Sequence, residues 1–306
     1  MARANDIADA LIAEGNKAEN SGKLREACEQ YRKAVVAAPD YAKAHLNLGI
    51  GLEACGDIDA AIRSYEAALA IDPRDPYANY DLGKLLCGRG DLERAEPLIR
   101  AALDCKPEFP EAQVVLSNLY ESRGDLAAAL SALESALKQR PDWGGVLFNY
   151  AVMLWKLRRI SEAETALRRA IAIEPGLVPA YGLLGNILRG QARIPEALEV
   201  LGVARRLDPG RLDIESTELF VLTCWDEISS EALFARHKDF GVRLERAIAR
   251  RFEPFGNSAD PERRLRVGYV SGNFNFHPVA FFAIPLFERH DRSACEIFCY
   301  WTGDAV

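Results

Sequence analysis

Residues 42–75 read AKAHLNLGIGLEACGDIDAAIRSYEAALAIDPRD, and this arrangement of small, large and turn-forming residues recurs every 34 residues without insertion. Prolines mark the period at Pro39, Pro73, Pro107, Pro141, Pro175 and Pro209. Alanine holds the same phase at Ala27, Ala61, Ala95, Ala129, Ala163 and Ala197, and again at Ala34, Ala68, Ala102, Ala136, Ala170 and Ala204. Such a period signals stacked supersecondary units, not one globular core. Each unit holds two apolar-periodic helical stretches, divided by Gly22, Gly56, Gly90 and Gly124 in the first four and by Arg158 and Ala192 in the last two. Gly15, Gly49, Gly83, Ser117, Ala151 and Gly185 are small enough to let two antiparallel helices approach. Tyr31, Tyr65, Ile99, Leu133, Leu167 and Leu201 supply the bulk that fills the space between hairpins. Proline then stops each second helix, because it lacks a backbone donor and clashes with the preceding turn.

This pattern is that of the tetratricopeptide repeat. The fold class expected is mainly α: an α-α superhelix of six hairpins plus capping helices, followed by the first β-α-β of a Rossmann-like α/β lobe. The hairpins span 8–41, 42–75, 76–109, 110–143, 144–177 and 178–211, within a first domain of 1–211. The first unit carries Glu14 where later units place leucine or tyrosine, as suits an end whose outer face meets water. Residues 212–255 keep helical patterning, through Leu219, Phe220, Leu222 and Trp225 and then from Ser229 to Ile248, and read as bridging helices that cover the end of the array. Arg243, Arg246, Arg250 and Arg251 gather toward the last turn, as cations do at a solvated helix C-terminus.

Composition narrows the functions open to the chain. A formal net charge of −7 works against duplex nucleic acid, which is held by cations that displace counterions. The N-terminus, MARANDIADALIAEG, lacks the basic start and apolar run of a secretory signal, and no apolar stretch is long enough to cross a membrane, so a cytoplasmic protein is expected. Seven cysteines, without a CxxC pair or a Cys/His cluster, read as reduced thiols, and no metal site is expected. Cys295 and Cys299 would share one strand face as small buried side chains.

First helices of tetratricopeptide hairpins line the concave surface. The phase therefore projects Asn16, Lys43, Asn47, Tyr77, Tyr80, Lys84, Asn118, Phe148, Asn149, Trp155, Lys156, Asn186 and Arg189 into a groove for protein or peptide acceptors. Amides suit an extended peptide because they both donate to and accept from its backbone. The same asparagines could instead satisfy groups between hairpins, and the sequence leaves both readings open. Cochaperones of this repeat family clamp a C-terminal carboxylate with lysine and asparagine, but Ile12 occupies the first lysine position here, which disfavours chaperone tails. A homo-oligomer through the repeats is left open.

Past Phe252 the turn formers Pro254, Gly256, Asn257, Ser258, Asp260 and Pro261 mark a linker over 256–263. A second domain begins at 264: Leu265–Val270 reads as a buried strand, SGNFNFHP as a loop, Val279–Arg289 as a helix and Glu296–Trp301 as a second strand. Ligands of open α/β sheets bind beyond the carboxyl ends of strands, and helix N-termini favour anions. His277 and Pro278 stand at that place, although a histidine there, taken by itself, reads as structural sooner than functional.

Repeats, two bridging helices, then RRLRVGYVSGNFNFHPVAFF and HDRSACEIFCY together resemble the protein O-linked N-acetylglucosamine transferases, including the SPINDLY-like and bacterial-style members. The resemblance implies transfer of N-acetylglucosamine from UDP-GlcNAc to serine or threonine of proteins, with GDP-fucose as the donor of part of the plant branch, and no bound cofactor. It also implies a catalytic role for His277, the first histidine of the family's His-Pro motif, as acid/base or donor-phosphate contact; imidazole titrates near neutrality. Asn273 stands where the family often has aspartate, and Phe281 where animal members have a second histidine, so the sugar stays open. With the donor-binding lobe absent before Val306, the 306-residue chain by itself is expected not to catalyse transfer. The competing reading is a non-enzymatic scaffold that binds peptide segments of partner proteins.

Overall fold

The computed structural model describes residues 2–247, 256, 260, 262–274 and 277–302. Two compact units divide after Ala247. The first consists of helices: α1 (Ala2–Asn20), α2 (Leu24–Ala37), α3 (Ala42–Ala54), α4 (Ile58–Ile71), α5 (Pro76–Gly88), α6 (Leu92–Cys105), α7 (Pro110–Ser122), α8 (Leu126–Gln139), α9 (Gly144–Lys156), α10 (Ile160–Ile173), α11 (Val178–Gly190), α12 (Ile194–Leu207), α13 (Leu212–Leu222) and α14 (Ser230–Ala247). The twelve from α1 to α12 form six antiparallel hairpins, each stacked on the next.

Every device in the repeat has a physical counterpart. The six alanines of each set are fully buried, and Tyr31, Tyr65, Ile99, Leu133, Leu167 and Leu201 are at most 1% exposed. A methyl group added at Gly49 would lie 2.5 Å from the Tyr65 ring, and one at Gly83 2.7 Å from Ile99. Helix crossing therefore depends on these glycines. In the same register Ser117 and Ala151 stand opposite Leu133 and Leu167, while Gly185 stands opposite Leu201, where an added methyl group would lie 2.7 Å away. The turns inside the hairpins are left-handed at Gly22 (φ 75°), Gly56 (82°), Gly90 (79°) and Gly124 (78°), and equally at Arg158 (63°) and Ala192 (59°), where a side chain makes that conformation costly.

Second-helix N-termini are satisfied in two ways. Asp57, Asp91 and Asp125 cap with their carboxylates, accepting from the backbone N–H groups of Ala60, Arg94 and Ala128. Lys23, Arg159 and Arg193 stand at the same repeat position, and there the acid moves three residues on, as Glu26, Glu162 and Glu196, each paired with the base before it. After each second helix the residue before proline is extended, for example Ala38 (φ −142°, ψ 78°) and Asp72 (φ −128°, ψ 91°). The carbonyls of these prolines are taken up by the next hairpin: His45 bonds Pro39 O, buried Asn79 donates to Pro73 O, and Tyr181 donates to Pro175 O.

Beyond Arg211 the expectation needs correction in three places. Helix α13 stops at Leu222, so Trp225 lies past it, and Phe220 is 54% exposed and does not cover the core. Arg243 is not a freely solvated helix-end cation: it pairs with Glu215, and Arg236 donates to Glu218 at 2.8 Å. Both glutamates are at most 6% exposed, and buried carboxylates of this kind require cationic partners. These pairs tie α14 to α13. Ile248, Arg250 and Arg251 lie outside the described residues.

The second unit contains β1 (Leu265–Ser271), α15 (Pro278–Glu288) and β2 (Cys295–Trp301). The strands pair in parallel, from Leu265 beside Cys295 to Ser271 beside Trp301. A parallel pair joined through a helix is the β-α-β unit. Tyr269 packs on Phe287, and its hydroxyl meets His290 Nε2 at 2.7 Å, which fastens the helix to the strand. Cys295 is buried but Cys299 is exposed: side-chain alternation puts both on one side of β2, and only the start of that side is covered. No helix among the described residues is long and apolar enough to cross a membrane.

Candidate functional site

First helices touch one another at the start of the array, α1 with α3, α3 with α5 and α5 with α7, and α11 touches α13 at its end. The projected groove residues lie on these helices, but they do not all remain available for a ligand. Asn16 Oδ1 accepts from the Tyr31 hydroxyl at 2.7 Å, and Asn47 donates to Lys43 O at 2.7 Å. For these two, the amides serve the hairpin itself. Asn118, Asn149 and Asn186, by contrast, have no hydrogen-bond partner among the described residues, and Asn118 is exposed.

The three lysines are each held by an acid of the preceding hairpin: Lys43 by Asp9 at 2.8 Å, Lys84 by Glu53 at 2.8 Å and Lys156 by Glu121 at 2.6 Å. Hydrogen bonding to Lys43 holds the Asp9 carboxyl below its usual range. Lys84 also approaches Asp81 at 3.4 Å, while the Tyr65 hydroxyl donates to Glu53. Burial pushes the Asp81 carboxyl up to about 6, against the pull of Lys84.

Aromatic residues divide by environment. Tyr77 and Tyr80 pack against Phe109 with centroids 5.7 and 4.7 Å away, and Lys106 lies over Tyr77 and Phe109. Phe148 is partly buried against the core of the later hairpins. Trp155 is 39% exposed and borders, with Arg158, Asn186 and Arg189, a cleft of about 670 Å³ between the fifth and sixth hairpins. Arg189 stacks on Phe220 at 4.4 Å. Sequence reading missed Phe220 as a member of this face, although it lies one 34-residue step beyond Asn186.

In the second unit His277 caps α15. Its Nδ1 accepts from Val279 N–H at 3.2 Å and its carbonyl from Ala280 N–H at 3.0 Å, and Pro278 has no N–H to offer. The backbone donors of this helix start are thus already in use. With Nδ1 accepting, the neutral ring carries its proton on Nε2, so the group left for a ligand is an Nε2–H donor beside the positive end of a helix. That arrangement suits an anionic oxygen. Asn273 donates its backbone N–H to the Ser271 hydroxyl, and Phe281 is 60% exposed on α15. No cluster of histidine, cysteine and carboxylate able to hold a metal occurs among the described residues.

Comparison with known proteins agrees with both halves. Tetratricopeptide-repeat profiles match residues 12–76, 52–119 and 114–178, and the profile of Glycosyl transferase family 41 matches 208–304. A Petunia hybrida protein described as "Probable UDP-N-acetylglucosamine--peptide N-acetylglucosaminyltransferase SPINDLY" is 30% identical over 95 residues, 31% of this chain and 10% of that one. The chain thus matches about a tenth of the length of such curated relatives. An O-GlcNAc transferase mutant structure from Thermobaculum terrenum superposes with a TM-score of 0.54 at 28% identity, over 64% of this chain and 38% of that one. Pseudomonas aeruginosa pilF shares the fold, with a TM-score of 0.64 at 21% identity, over 70% of this chain and 97% of that one.

Proposed function

We propose that this chain, a tetratricopeptide-repeat member of the protein O-linked N-acetylglucosamine transferase family, recruits protein acceptors along its first helices for sugar transfer to serine or threonine. The donor in this reading is UDP-GlcNAc. The observation that carries it is a parallel β-α-β whose helix opens on a capping His-Pro, in the same chain as six peptide-binding-type hairpins. His277 contributes Nε2–H to an oxygen of the donor or of the departing diphosphate, held in orientation by its own Nδ1 cap. Asn118, Asn149 and Asn186 meet the backbone of an extended acceptor, because their amides are unspent. Phe281 and Asn273 leave GDP-fucose as the alternative donor.

The test uses a protein in which these residues are continuous with a whole family 41 catalytic region, incubated with UDP-GlcNAc or GDP-fucose and a protein acceptor, with products read by mass spectrometry. His277→Ala should abolish transfer and leave acceptor capture unchanged. Unaltered transfer by that variant removes the role given to His277. Acceptor capture with no transfer from either nucleotide sugar favours the scaffold reading.

A further inference from the structure

We infer that the cleft between the fifth and sixth hairpins is a carboxylate site, which takes an aspartate or glutamate side chain of the bound acceptor segment beside its backbone. The inference rests on the peptide-capturing reading above and adds a side-chain preference to it.

Charge pairing in the neighbourhood provides the first argument. Lys156 is held by Glu121, Arg168 by Glu164, and Arg193 by Glu164 and Glu196. Arg158 and Arg189 border the cleft and have no acid partner among the described residues. In a chain of net charge −7, two uncompensated guanidinium groups in one concavity create a local positive potential. The nearby carboxylates do not cancel it, since Glu164 is engaged by Arg168, Arg193 and Gln191.

Geometry provides the second. The Arg189 guanidinium carbon lies 4.4 Å from the Phe220 ring centroid, and its Nε is buried without a hydrogen bond. A guanidinium resting on an aromatic ring has already lost part of its freedom, so its terminal N–H groups pair with a carboxylate at less cost than those of a free side chain. Asn186 has a free amide for the adjoining peptide group, and the half-exposed Trp155 offers a wall for a side chain. The cavity, about 670 Å³, is of a size that holds a few residues of peptide.

Backbone strain provides the third. Arg158 occupies a left-handed turn in which the first four hairpins use glycine. Its side chain borders the cleft, so the strained residue stands where a cation adds to carboxylate binding.

The test is an array of acetylated, C-terminally amidated octapeptides rich in serine and threonine, printed in pairs that differ only by Glu against Gln at a central position, and probed with the full chain. The Glu member should be retained about tenfold more strongly than its twin. Arg189→Gln and Arg158→Gly should each bring that ratio several-fold closer to one, with the Gln twin measured on the same variant as its reference. Glycine suits the turn at 158, so that variant folds, and a thermal melt run in parallel confirms it. Equal binding of the twins, or a ratio that survives both substitutions, overturns the carboxylate site while leaving the peptide groove intact. Failure of every peptide to bind overturns the groove reading itself.

Discussion

Replacing Asp81 by asparagine should stabilise the repeat array near neutral pH and not in acid. Asp81 lies on α5 with its side chain 14% exposed, facing Lys84 at 3.4 Å. Burial raises its carboxyl from 3.8 to about 6. The native carboxyl therefore keeps its proton to higher pH than the unfolded one, so stability is fully present below the lower value and is lost as pH rises through the window to the upper. At about 1.4 kcal/mol for each tenfold change in proton affinity, the loss at neutral pH is roughly 3 kcal/mol. Asparagine removes that cost, in which the pull of Lys84 is already counted, and Lys84 keeps Glu53. The net gain expected is about 2–3 kcal/mol at pH ~7.5 and none at pH ~4. Urea unfolding followed by far-UV circular dichroism reads it as a midpoint about 0.7–1 M higher at the upper pH only. An asparagine variant that loses stability equally at both pH values would show that pairing with Lys84 outweighs burial and refute the reasoning.

Two further perturbations probe the array. Gly49→Ala places a methyl group 2.5 Å from the buried Tyr65 ring and should cost about 1–3 kcal/mol in thermal unfolding. Adding Tyr65→Leu should recover most of that, because Ala151 with Leu167 is the same pair three hairpins later; a double variant as unstable as the single one contradicts the packing account. Arg158→Gly and Ala192→Gly should each raise stability by about 0.5–1 kcal/mol, since both residues are left-handed at φ 63° and 59°. A loss of stability in either would show that the side chain contributes more than the strain costs.

The six hairpins were legible because each repeats one set of constraints: a small residue facing a large one, a left-handed turn and a terminating proline. A single misread residue could not hide a phase that recurs throughout 8–211. The strands and helix of the second unit were legible for another reason, an apolar run bounded by turn formers on either side of a His-Pro helix start. What escaped the sequence were contacts between residues outside the phase. Glu215 with Arg243 and Glu218 with Arg236 are 28 and 18 residues apart on helices without repeat partners, so nothing in the pattern paired them. Phe220 was read only as part of the helical patterning of the bridging helices, yet its position continues the Asn118 and Asn186 register onto the exposed face. Asn16 and Asn47 shared repeat registers with Asn118, Asn186 and Asn149, but register cannot tell that Tyr31 occupies one amide and a helix carbonyl the other.

The central claim, that the face of the first helices supplies acceptors to a glycosyl-transfer centre, is tested most directly by kcat/KM for a protein acceptor. The protein used is one with a whole family 41 catalytic region, in native form and as the triple variant Asn118→Ala, Trp155→Ala, Asn186→Ala. The account predicts a loss of at least about tenfold toward the protein acceptor, with UDP-GlcNAc hydrolysis in the absence of acceptor unchanged. Equal kcat/KM for the native and triple-variant proteins would contradict it.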